Sequence, residues 1–124
     1  MIRSTLLIGY SQLTKSLGGH PQRLLRSCGI NPRCETDEDS YISFPALCDL
    51  LERTAEATGC ETFGLRLSEA QDVASLGPLG FAIQSSATLR EAIDEWRRFQ
   101  DVHMRGAHSE LSPAGPLLRW VYHV

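Results

Sequence analysis

Residues 75–100 read SLGPLGFAIQSSATLREAIDEWRRFQ and hold the strongest local signals in the chain. Thr88 and Glu91 stand three apart, the spacing of a capping box in which each side chain satisfies a backbone N–H of the other. Behind that box Leu89, Ala92, Ile93, Trp96 and Phe99 recur at helical spacing, which predicts an amphipathic helix from 89 to about 105, about 25 Å long. Arg90–Asp94 and Asp94–Arg98 are expected as i,i+4 ion pairs on its wet side, and Gly106 as its stop. His103 falls two heptads after Leu89 and continues the apolar stripe, where a hydrogen-bonded histidine at the core edge is expected. The stripe is expected to be mostly core, whatever else it lines. Upstream, Gly77 and Gly80 are flanked by Leu76 and Phe81. A nucleic-acid-clamping GxxG loop needs basic flanks, and a phosphate loop needs a terminal lysine and hydroxyl. Neither is present, so the segment reads as a helix start with Pro78 in its first turn and glycines that permit close packing.

Downstream, HSELSPAGPLLRWVYHV (His108–Val124) changes the period from helical to alternating. It predicts a strand, a turn on Ser112–Pro116 and a second strand. Leu118, Trp120, Tyr122 and Val124 would share one face, and Leu117, Arg119, Val121 and His123 the other. A lone hairpin is marginal in water, and so apolar an edge calls for a partner. The expectation is that these residues begin a larger antiparallel sheet in a longer protein, or that the edge pairs across a dimer.

The first half is helical. Leu6, Tyr10, Leu13 and Leu17 mark a helix over about 5–17, and Pro21 opens a second with Leu24, Leu25 and Cys28 inward. Ser43 and Pro45 open a third, with Leu47, Leu50, Leu51 and Ala55 as its buried stripe and Gly59 as its stop. Phe63, Leu65 and Leu67 belong to a short fourth, in which Arg66 is expected at the surface. LLRSCGINPR resembles the turn of a DNA-reading helix-turn-helix, but Pro32 follows at once, and then Glu35, Asp37, Glu38 and Asp39, which phosphates would repel. That acidic run reads as a solvated connector rather than an acid–base or metal cluster. The fold class is therefore α+β, mainly α: a bundle of short helices plus one longer amphipathic helix, ending in a β-hairpin.

The chain has 124 residues, enough for one domain spanning 1–124, and a net charge of −3. An acidic balance argues against nucleic-acid binding by these residues. No stretch approaches the about 18 apolar residues of a membrane span, and the short apolar start is no secretory signal, so the expected compartment is the cytoplasm. Cys28, Cys34, Cys48 and Cys60 match no metal spacing and are expected as reduced thiols in or near the core. No nucleophile, metal or phosphate motif of an enzyme is present, so no catalytic residue, metal or cofactor is expected.

Taken in order, LLRSCGINP, YISFPALCDLLERTAEATG, ETFGLRLSE and LGPLGFAIQSSATLREAIDEW resemble the N-terminal effector domain of AraC/XylS-type transcriptional regulators, the arabinose-binding-like subgroup. The G-L-R-L element followed by L-G-x-L-G-[YF], a serine pair and an amphipathic helix carries most of that resemblance. It implies a bacterial transcription regulator whose sensing and dimerising part is seen here. A DNA-binding domain with two helix-turn-helix motifs would follow, so DNA is contacted only through a part absent from this chain. The effector would be a small molecule of unspecified class, and the subgroup's name is poor evidence for a sugar. The place expected for a pocket is where the Trp96, Phe99 and His103 face meets Phe81 and the Trp120 and Tyr122 strand, because ligand sites are apolar with a few polar groups. The competing reading is a stand-alone helical module that dimerises through its last strands without an effector.

Overall fold

Two rings organise the core: Tyr10 and Phe63 are fully buried and meet edge to face, centroids 5.8 Å apart. The computed structural model describes residues 1–37 and 39–123. Its elements are β1 (Ile2–Arg3), a 3₁₀ turn (Ser4–Leu7), α1 (Tyr10–Ser16), α2 (Pro21–Ser27), a 3₁₀ turn (Pro32–Glu35) and β2 (Tyr41–Ile42). There follow α3 (Phe44–Thr58), α4 (Phe63–Glu69), a 3₁₀ turn (Val73–Leu76), α5 (Pro78–Gln84), α6 (Leu89–His103), β3 (His108–Ala114) and β4 (Leu117–His123). The α+β, mainly α architecture expected from the sequence is what these elements make.

Helices α1 to α4 close around Leu7, Tyr10, Leu25, Leu50 and Phe63. Thr54 Oγ1 donates to the Leu50 carbonyl at 2.7 Å, so the Tyr10 hydroxyl donates to Thr54 at 2.9 Å. Burial raises the Tyr10 pKa, so the phenol stays protonated. The expected helix over 5–17 is broken: its first turn is 3₁₀, and α1 restarts at Tyr10 after Gly9 (φ 81°). Ser43 sits at the N-cap of α3, but its side chain makes no capping bond. With 15 residues, α3 matches α6 in length, so the bundle has two long helices rather than one.

The acidic connector is more than solvated. The Glu35 carboxylate accepts from the Ser11 N–H at 3.0 Å and its hydroxyl at 2.6 Å, placing negative charge at the start of α1. Asp39 pairs with Arg3 at 3.0 Å, and the Asp37 carbonyl accepts from the Ser4 hydroxyl at 2.7 Å. Glu38, the remaining member of that run, lies outside the described residues. Of the cysteines, Cys28, Cys34 and Cys60 pack against the core while Cys48 is exposed. Arg66 is exposed, the surface position expected of it from the sequence.

A two-residue ladder and an isolated bridge tie the N-terminus to the middle of the chain and to the end of α6. Strand β1 pairs antiparallel with β2, Ile2 opposite Ile42, and Ile2 also bridges to Met104. The Arg105 N–H donates to the Met1 carbonyl at 2.9 Å and the Tyr41 hydroxyl to the Val102 carbonyl at 2.7 Å. The end of α6 is thereby fastened to the first half of the chain. In the capping box, Thr88 Oγ1 accepts from the Glu91 N–H and the Glu91 carboxylate accepts from the Thr88 N–H, both at 3.2 Å. At the start of α5, Gly77 adopts φ 61°, and its Cα passes so close to Arg3 that a Cβ there would lie 3.7 Å from the guanidinium Nε. Pro78 occupies the first turn, as expected.

The hairpin turn is tighter than the sequence suggested. Ser112 and Pro113 belong to β3, opposite Arg119 and Leu118, and the loop is Gly115–Pro116 alone. Gly115 takes φ 63° while proline holds a negative φ, the combination of a type II′ turn, which matches strand twist. Among the described residues β3 and β4 form a two-stranded sheet.

Candidate functional site

The α6 stripe, expected to be mostly core, is only partly buried: Ala92, Ile93 and Trp96 are half-buried. Leu89 is 77% exposed, Phe99 is also exposed, and the residues of α6 that are buried are Gln100 and His103. The reason lies in what covers α6. Instead of lying across the bundle, it is flanked by α5 and the hairpin, and only the turns near its C-terminus reach the anchored end. Asp94 pairs with Arg97 at 3.9 Å, three residues on, rather than with Arg90 or Arg98.

The ladder register sets the hairpin face that meets α6. Residues directly opposite in an antiparallel pair point the same way, so Ser109 with Tyr122, Leu111 with Trp120 and Pro113 with Leu118 share a side. Trp96 meets Trp120 edge to face at 5.8 Å and Tyr122 at 5.9 Å. The Tyr122 hydroxyl reaches Met104 Sδ at 3.5 Å. The fourth member of the expected hairpin face, Val124, lies outside the described residues.

Along α6, Trp96, Gln100 and His103 follow one another at i, i+4 and i+7, a single stripe. Four atoms along this seam are buried without a hydrogen-bond partner among the described residues: Trp96 Nε1, Gln100 Oε1, His103 Nδ1 and Ser109 Oγ. Native proteins leave few such groups, because each orphan costs about 1–3 kcal/mol. One donor, one acceptor, an imidazole and a hydroxyl are thus left unsatisfied on α6 and β3. Farther along α6 a small cavity of about 110 Å³ is lined by Leu89, Arg90, Ile93, Asp94, Leu111 and Leu118, and none of the four orphaned atoms belongs to its lining.

Of the residues singled out from sequence, Trp96, Trp120 and Tyr122 are brought together, and His103 lies buried on the same α6 stripe. Phe99 instead turns toward α5, lining a 220 Å³ cavity with Pro78, Leu79, Ala82 and Val102. Phe81 is 70% exposed on α5 and lines neither space. Gln100 and Ser109 went unnoticed in the sequence. The available signal was Gln100 itself, a polar residue interrupting the Trp96–His103 stripe. A larger depression of about 620 Å³ lies between α1 and α2, but Lys15, His20, Arg23 and Arg26 around it are exposed and solvated.

His103 is only 4% exposed and lacks the hydrogen bond at Nδ1 expected of a core-edge histidine. Its pKa is lowered below the ordinary 6.5, chiefly by burial and further by the nearby Arg3 charge. The folded state therefore binds fewer protons than the unfolded chain once pH drops below 6.5. Stability from this residue is complete above that pH and is lost as pH falls toward the depressed folded value. Denaturant midpoints measured from pH 7 to 5 should decline, and His103→Gln should flatten that decline.

The profile of the arabinose-binding domain of AraC transcription regulators, N-terminal, matches residues 18–124. The chain belongs to this family. Its curated relatives include the HTH-type transcriptional regulator VirS from two strains of Mycobacterium tuberculosis, CDC 1551 / Oshkosh and ATCC 25618 / H37Rv. Each is 36% identical over 103 residues, covering 83% of this chain but 30% of the relative, so the chain spans less than a third of their length. The matched family is a transcription-regulator domain rather than a class of enzymes. No helix among the described residues is long and apolar enough to cross a membrane.

Proposed function

We propose that residues 1–124 act as the effector-sensing and dimerising part of a cytoplasmic transcription regulator, upstream of a DNA-binding domain. The observation that carries this reading is the row of orphaned polar atoms on Trp96, Gln100, His103 and Ser109, buried along an aromatic seam. An effector bearing a small polar head on an apolar body would satisfy those atoms and stiffen the hairpin against α6. Because the ligand favours the docked seam, it shifts the balance between docked and loosened arrangements, and that difference sets how paired DNA-binding domains are presented. Self-association is supported by β4, whose Leu117 and Leu118 are 70% and 58% exposed, and by the outer strand edges, which pair with no further strand among the described residues.

Both tryptophans of the chain, Trp96 and Trp120, stand at the seam, so intrinsic fluorescence reports on it directly. Titrating the full-length regulator with small organic acids, amino acids and fatty acids should give a saturable fluorescence change and a higher Tm for one class. Trp96→Ala should abolish both responses. A saturable response that survives Trp96→Ala would place the effector elsewhere. A stable dimer whose DNA affinity no such ligand alters would favour the stand-alone dimerisation module.

A further inference from the structure

We infer that His108, Glu110 and His123 form a binding site for a divalent transition metal of the zinc class on the outer face of the hairpin, the face turned away from α6. The register creates it. His108 opens β3 and His123 closes β4, directly opposite one another, and Glu110 follows His108 by two residues, on the same side of the strand. The two imidazole rings stack with centroids 4.5 Å apart and planes 12° from parallel. One ligand atom from each of the three residues lies within 4.8 Å of the others. Ligand atoms around a tetrahedral zinc, each about 2.0–2.2 Å from the ion, stand about 3.3 Å apart. Closing that difference takes only side-chain rotation, which is open to all three because all are exposed. Two imidazoles and a carboxylate suit Zn²⁺, Ni²⁺ or Cu²⁺ and disfavour the hard, oxygen-seeking Mg²⁺. Three protein ligands leave a fourth position for water or a further group.

The position gives the ion a mechanical role. Among the described residues His108 and His123 are the last pair of the ladder, at the end opposite the Gly115–Pro116 turn. A metal joining them staples the open end of the hairpin, and Tyr122, which meets Trp96, is the next residue to His123. Binding should therefore slow hydrogen exchange along β3 and β4. It should weaken on acidification, since protons compete for the imidazole nitrogens.

The test is calorimetric titration of the whole chain with Zn²⁺ under reducing conditions, with Mg²⁺ as the hard-cation control. One Zn²⁺ per chain is expected. His108→Ala and His123→Ala should each weaken binding by more than about tenfold, the least that even a residue orienting a ligand is worth. Glu110→Gln should weaken it less, and the exposed, distant His20→Ala should leave it unchanged. Co²⁺ substitution should give a spectrum without thiolate charge transfer. Absence of saturable Zn²⁺ binding, unchanged affinity in the His108→Ala/His123→Ala double variant, or a thiolate band pointing to the cysteines would each overturn the site. Because the three ligands are exposed, their replacement should leave the circular dichroism spectrum as it is.

Discussion

Phe63→Ala is expected to lower the free energy of unfolding by about 3–5 kcal/mol, measured by chemical denaturation. The ring is completely buried at the start of α4, edge-on to Tyr10, and joins the cluster that includes Leu7, Leu25 and Leu50. Its removal loses the transfer free energy of the ring, leaves a cavity that surrounding helices only partly fill, and strips Tyr10 of its aromatic partner. Domains of this size hold about 5–15 kcal/mol in total, so the variant should sit near the edge of folding. The matched control is Phe81→Ala. The same side chain is removed, but Phe81 is 70% exposed on α5, and the change should stay within about 0.5 kcal/mol. Equal costs at the two positions would mean that α5 carries core the structure does not assign to it.

That pair of phenylalanines also marks where sequence reading works and where it stops. Local rules were legible. The Thr88–Glu91 box, Pro78 at a helix start, Gly59 at a helix end and the alternation of the last strands all formed as their chemistry dictates. What periodicity leaves open is what a stripe packs against. Leu89, Ile93, Trp96 and Phe99 have the pattern of a core helix, but among the described residues α6 is held at its C-terminal end by Met104 and Arg105 and packs mainly against α5 and the hairpin. An apolar stripe facing a thin cover stays partly exposed, and burial concentrates instead on Gln100 and His103 near the anchored end. The hairpin turn was misplaced for a different reason: Ser112 and Pro113 are turn formers, but Gly115 can supply positive φ, and that decides the register. The candidate site was half legible. Trp96, His103, Trp120 and Tyr122 could be found as an aromatic face, whereas Ser109 became visible only once the register set it opposite Tyr122.

Gln100→Leu should separate a site from a core position, because stability and binding should move in opposite directions. Gln100 is 7% exposed and its Oε1 lacks a hydrogen-bond partner, while its Nε2 makes only a long 3.3 Å bond to the Arg97 carbonyl. Replacing the amide with an apolar group of similar size removes the orphaned acceptor. Without effector, the variant should gain about 1–3 kcal/mol of stability, seen as a Tm increase of several degrees. Effector binding should fall about tenfold or more, since the ligand loses an acceptor that water no longer reaches. A structural role would give the other signature, in which a loss of stability accompanies any loss of binding. Functional sites hold groups that are unfavourable until the ligand arrives, so the seam should be weaker than a hydrophobic one of the same shape. A gain in stability with unimpaired effector binding would leave the orphaned atoms unexplained and move the pocket away from this face of α6.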